Sequence, residues 1–142
     1  MDEDKVFRVE IPKENYKILN FKQDKLPGIA VVNKSLAEFE PKEVFVWHCS
    51  VMLQCEKLIE NGMPSSEEVE ILDKFGDFLD ERIKGSNTEK PNGLFLARIT
   101  WNETRELIWR IFDPEITNDF LSDLIEREDH IRNFDYRIDE DE

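Results

Sequence analysis

The chain has 142 residues, 39% of them hydrophobic and 11% aromatic, and a formal net charge of -14. That length fits one domain with one core, and the aromatic content argues against global disorder. So acidic a surface repels phosphate backbones and anionic lipid, which excludes most nucleic-acid and membrane partners, although an excess of carboxylates also serves solubility alone.

The first residues, MDEDKVFRVE, are charged and lack the apolar stretch of a signal peptide. No apolar run approaches the ~18 residues that span a bilayer. Two cysteines without an export signal point to a reducing cytoplasm. Val6 to Pro12 alternates like a short edge strand ended by proline. Tyr16 to Lys22 alternates as well, with Tyr16, Ile18 and Asn20 on one face and Lys17, Leu19 and Phe21 on the other. Asp24 to Gly28 reads as a turn, Ile29 to Asn33 as a short strand, and one helical turn is expected before Pro41.

Val44 to Cys55, VFVWHCSVMLQC, holds one of the two histidines and both cysteines, and is predicted as a strand. Asn61-Gly62 is a turn, and Ser65 with Glu68 forms a capping box, each residue bonding the backbone N–H of the other. A helix is predicted over Ser66 to Lys84, with Val69, Leu72, Phe75, Leu79 and Ile83 as its apolar stripe and Gly85 closing it. Asp80 with Lys84, and Glu70 with Lys74, have the spacing of helical ion pairs. Asp77 with Asp80 and Glu81 reads as a solvated helix face.

Gly93 to Trp101 and Arg105 to Phe112 read as two strands joined by the short loop NET. Setting Trp101 opposite Arg105 gathers Phe95, Ala97, Ile99, Leu107, Trp109 and Ile111 on a core face. The other face then carries Arg98, Glu106, Ile108 and Arg110, with the arginines pointing outward. Asp113-Pro114 starts a second helix whose apolar side is Ile116, Phe120, Leu121, Leu124 and Ile125, with His130 as a capping cation after its end. Asn133 to Asp139 is the last strand, with Phe134, Tyr136 and Ile138 sharing a face.

From His48 onward the order is strand, helix, strand, strand, helix, strand. That is an α+β fold with the split βαβ of ferredoxin-like sheets and two helices on one face. Residues 1–142 are expected to form a single domain, with the ferredoxin-like part at about 44–139. N-terminal strands at about 6–33 would either extend the sheet or cover its open face.

The opening question for chemistry is whether His48 and the cysteines form a site. In a strand Trp47, Cys49, Val51, Leu53 and Cys55 share one face while His48, Ser50, Met52 and Gln54 share the other. His48 and Cys49 therefore do not meet as a nucleophile and base. Cys49 and Cys55 stand about 20 Å apart at ~3.3 Å per residue, far beyond disulfide reach. No zinc-ligand spacing and no phosphate-binding, hydrolase or metalloprotease motif is present. The thiols read as core residues, against a redox or metal role. His48 is either a half-buried partner of a neighbouring side chain or part of a site. Arg98, Arg105 and Arg110, interleaved with Glu106, form a salt-bridge lattice or a contact for an anion or acidic peptide. RNA binding would need exposed aromatics on that face, where Trp101, Trp109 and Phe95 are not expected. No catalytic residue, metal ligand or cofactor is assigned. The candidate binding residues, on the open sheet face, are His48, Arg98, Glu106 and Arg110.

Asn61-Gly62-Met63-Pro64 with Glu67-Glu68, followed by FLARITWNETRELIWRIFD, resembles an uncharacterised bacterial domain family of unknown function over roughly Ile29 to Asp139. Its pattern is an N-G-[LM]-P-x-x-E-E turn and helix, then a hairpin of the form [GA]-R-x-T-x-x-x-x-R-E. The resemblance implies an association with a domain similar to the regulator of ribonuclease E activity, type B, an acidic protein inhibitor joined to some members. It brings no catalytic residues. The function expected is a non-enzymatic, cytoplasmic, acidic domain that binds an unidentified protein partner. The alternative is a small-molecule binder or enzyme using His48, Arg98 and Arg110.

Overall fold

A computed structural model describes residues 15–36, 44–87, 89–128 and 130–140. Eight elements follow in order: β1 (Tyr16–Gln23), β2 (Leu26–Asn33), β3 (Trp47–Gln54), α1 (Ser66–Lys84), β4 (Gly93–Trp101), β5 (Thr104–Ile111), α2 (Pro114–Glu126) and β6 (Phe134–Glu140). The strands form one sheet in the order β1-β2-β4-β5-β3-β6, antiparallel throughout. The N-terminal hairpin thus extends the sheet beyond β4. The strand expected at Val6 to Pro12 lies outside the described residues.

Both helices cover one face. Leu72, Phe75, Leu79 and Ile83 of α1 meet Leu121 and Leu124 of α2 over Cys49, Val51 and Leu53 of β3 and Leu107, Trp109 and Ile111 of β5. Trp109, Leu79 and Leu121 are wholly buried. Period-2 and period-3.6 patterns place these residues, because each element hides only the stripe that faces its neighbour. β1 is exposed along nearly its whole length, and the Phe21 ring lies on Gly28 across the hairpin, where a methyl would overlap it.

Several expectations change. The β4–β5 loop is two residues, not three. Asn102 and Glu103 both take positive φ, 45° and 66°, which is the left-handed geometry whose twist suits a two-residue hairpin. Trp101 therefore faces Thr104, and Arg98 faces Leu107. A bulge between Phe95 and Ala97 restores Phe95 to the helix face opposite Trp109, while Ala97 and Ile99 fall on the other face. The arginines do not simply point outward: Arg105 and Arg110 are buried. Strand β3 starts at Trp47; Val44 and Phe45 leave the sheet and pack on Leu94 and Leu96. In α2 the buried stripe is Thr117, Leu121 and Leu124, while Ile116 and Ile125 are exposed. The first turn of α2 buries the Thr117 hydroxyl because Asn92 Nδ2 donates to it at 3.1 Å. Asp113 does cap α2, accepting from the Glu115 N–H at 3.0 Å. His130 is not a helix cap; its Nδ1 bonds the Arg132 carbonyl and its ring meets Phe134 edge-on.

Ser65 caps α1 as expected, accepting from the Glu68 N–H at 3.2 Å. The reciprocal half of the capping box is not made, because the Ser65 N–H donates to the Lys57 carbonyl. Glu68 is fully buried instead. Its carboxylate accepts from Arg132 Nε at 2.7 Å and Nη2 at 2.6 Å, and from the Glu56 N–H at 2.8 Å. The Arg132 guanidinium, outweighing burial, moves the Glu68 carboxyl from an ordinary 4.5 to about 2. A lowered folded pKa gives stability that is complete above pH 4.5 and is lost as pH falls through about 2. Glu68→Gln leaves Arg132 buried without its counter-charge and is expected to lose about 3–5 kcal/mol at neutral pH. In urea titrations from pH 7 down to about 2, the variant should also lack the acid-dependent fall that the native protein shows.

Candidate functional site

Of the four expected binding residues, three share the open face. His48 stands half-buried between Arg110 of β5 and Asp139 of β6. Glu106 accepts a hydrogen bond from the Ser50 hydroxyl, and Arg110 donates to the Phe45 carbonyl at 2.9 Å. His48 pairs with Arg110 rather than Glu106, and these two β5 residues lie roughly 13 Å apart along the strand, so no acid–base pair forms. Trp101 belongs to this face too, contrary to expectation, its Nε1 donating to the Gln23 carbonyl at 3.1 Å. Arg98 is on the opposite face, beneath α1.

There it joins a groove of about 250 Å³ between α1 and strands β2, β4 and β5. Asp73, Asp77 and Asp80, at helical spacing, line the α1 wall, and Gly76 leaves room between them. A methyl at Gly76 would meet only Leu107 Cδ1, at 3.5 Å. Val31, Phe95 and Leu107 form an apolar floor. Arg105 donates from Nη1 to Asp73 Oδ1 at 2.7 Å and from Nε to the Thr100 hydroxyl at 3.1 Å. Arg98 reaches the same Asp73 oxygen at 3.4 Å. Burial first, and the neighbouring Arg105 charge second, push the Arg98 guanidinium below its ordinary pKa. Asp80 spends both oxygens, on Trp109 Nε1 at 2.8 Å and on Lys84 at 3.0 Å. Asp77 and Asp80 were legible in the sequence only as a solvated helix face, and Asp73 was not singled out; with Arg98 on the helix face the three line a wall of the groove.

The hairpin motif that carries the family resemblance supplies Arg98, Thr100 and Arg105 to this network. The turn motif serves the frame. Asn61 and Gly62 have φ of 69° and 75°, and the Gly62 carbonyl accepts from the Glu103 N–H at 2.8 Å, so the two motifs touch. Residues 15–142 match a family described as "Family of unknown function (DUF695)". The chain belongs to that family. No curated protein and no solved structure matches it. The DUF695 match begins at residue 15, so it takes in the whole β1–β2 hairpin, beyond the stretch that the two motifs mark.

That hairpin makes a second surface in this DUF695 domain. β1 is the outermost strand, and no described strand pairs with its outer edge. Ile18 is 66% exposed and Leu19 42%. Lys17, Lys22, Lys25 and Lys34 stand against a single acid, Asp24, within residues 16–34. The hairpin sets Lys17 and Lys34 at one end and Lys22 and Lys25 at the other. The opposite edge strand, β6, carries Asp135, Arg137, Asp139 and Glu140.

Both thiols are free and buried. Burial pushes Cys49 up to about 12 and is also the main cause of the rise of Cys55 to about 11. Among the described residues no group of three or more His, Cys, Asp or Glu side chains could hold a metal ion, and no helix is long and apolar enough to cross a membrane.

Two outcomes are expected. Asp73→Ala strands the buried Arg105 and should lower the unfolding free energy by about 1–3 kcal/mol, whereas Asp77→Ala should stay within about 0.5. Labelling with an aromatic disulfide reagent at pH 8 should be slow for both cysteines in the native protein and fast in urea, since the thiolate is the reactive form; rapid native labelling would contradict their core position.

Proposed function

We propose that this domain is a protein-binding module that captures an extended, acidic and apolar segment of a partner by strand addition at the outer edge of β1. The observation that carries this reading is the character of that edge: eight residues long, with exposed Ile18 and Leu19, and with Lys17 and Lys22 as its only charges. A long exposed edge with apolar side chains offers an unpaired row of backbone donors and acceptors, and strand addition satisfies them. The lysines favour an acidic occupant over the β1 edge of a second copy, because two β1 strands would bring four lysines and no carboxylate to one seam.

A regulatory role goes with this reading through the resemblance to a family whose members are in some cases joined to a domain similar to the regulator of ribonuclease E activity, type B. A cytoplasmic location is consistent with two free thiols. We also read β3-α1-β4-β5-α2-β6 as a ferredoxin-like split βαβ unit to which the β1–β2 hairpin adds the binding edge. The open-face residues His48, Glu106 and Arg110 then serve the sheet, each engaging or flanking a neighbour within it.

The test is fluorescence anisotropy with a labelled octapeptide of alternating glutamate and valine. Binding should weaken steeply with salt. It should fall at least about tenfold in Lys17→Glu/Lys22→Glu and in Ile18→Asp, with unfolding midpoints unchanged, since these side chains are exposed. Absence of binding, or equal binding by the variants, would sink the proposal.

A further inference from the structure

We infer that the groove under α1 is a binding site for a small zwitterion, an α-amino acid with an apolar side chain. This site is separate from the β1 edge and does not depend on it. The first observation is the state of Arg98. A guanidinium has five N–H donors. Arg98 makes one ion-pair contact, at 3.4 Å, to an oxygen that Arg105 already holds at 2.7 Å. Arg105 is locked by Asp73 and Thr100, with only 5% of its side chain exposed, so it fixes the local charge but has little left to offer a ligand. Arg98, 35% exposed and lining the groove, has N–H donors beyond Nη1 that no described residue takes up, and these suit a carboxylate.

The second observation is Asp77. It lines the same groove one turn beyond Asp73 and accepts no hydrogen bond from any described residue. It lies close enough to Arg98 to support that charge. An ammonium group beside a ligand carboxylate would have Asp77 as its partner. The third is balance. Three carboxylates (Asp73, Asp77, Asp80) and two guanidiniums (Arg98, Arg105) line the groove, and Asp80 is paired with Lys84, which does not line it, so a dipolar ligand adds no net charge to walls that carry both signs. A plain anion would instead face the field of a chain carrying -14.

Size and floor set the rest of the ligand. About 250 Å³ is smaller than the ~300–1,000 Å³ of drug-sized pockets. Val31, Phe95 and Leu107 offer an apolar seat for one side chain. Gly76 keeps the roof open, since any larger residue there projects toward Leu107.

Calorimetric titration of the full chain with L-leucine, L-methionine and L-phenylalanine tests the inference. At least one should bind saturably with a Kd of about 1 mM or tighter. For whichever binds, the amide lacking the carboxylate and the carboxylic acid lacking the amine should each bind at least ~10-fold more weakly. Gly76→Leu should abolish binding while unfolding remains cooperative, and Gly76→Ala should retain it. If Gly76→Leu does not fold, Arg98→Met carries the test, with the same loss expected. No binding by any of the three, equal binding of the deaminated acid, or undiminished binding by Gly76→Leu or Arg98→Met overturns the assignment.

Discussion

The buried pair Glu68–Arg132 ties the first turn of α1 to the paired ends of β3 and β6, a link that the sheet alone does not make. Glu68 sits in the first turn of α1, accepts from the backbone just after β3, and holds an arginine two residues before β6. Taking both charges out of water is costly, and only a bidentate geometry with the remaining donors satisfied offsets that cost. The remaining donors are met: Arg132 Nη1 bonds the Ile131 carbonyl at 2.9 Å and approaches Glu56. What such a pair supplies is position. It fixes how far along its axis α1 sits over the sheet. Asp73 and Asp77 follow on the same helix, so their height above Arg98 and Arg105 is set from this one point.

Much of the frame was legible because it rests on strong periodicity. The 3.6-residue stripe of α1, the alternation in β1 and β6, and the Asp113-Pro114 helix start are all local signals, and each element formed where its pattern lay. The errors trace to features with weak local signatures. Glu103 in a left-handed conformation carries no marker such as glycine, so the hairpin loop was read one residue too long. Both faces of β4 are rich in apolar residues, so either register buries a plausible set, and hydrophobic patterning did not arbitrate. The bulge at Leu96 then let Phe95 keep its expected place while Arg98 changed sides. The candidate site moved with Arg98. In the same way Ser65-x-x-Glu68 announced a cap, but not that the glutamate would turn inward to an arginine 64 residues away.

Charge is segregated across the molecule. α1 alone carries seven carboxylates against three basic residues, while the β1–β2 hairpin is the basic end. A net charge of -14 therefore hides a dipolar surface, and added salt screens both of its ends. The hairpin edge and the α1 groove adjoin each other at Tyr16 and Val31, which line the groove from β1 and β2.

The position of β3 has a consequence for how the chain is made. β3 is flanked in the sheet by β5 and β6, yet it precedes both in the sequence. Cys49, Val51 and Leu53, all wholly buried once folded, therefore leave the ribosome with neither neighbour yet synthesised. At ~5–20 residues per second the outer edge of β3 waits on the order of ten seconds for β6. Both edges of this hydrophobic strand are open until β5 follows, and one stays open until β6, while the acidic residues of α1 emerge directly behind it.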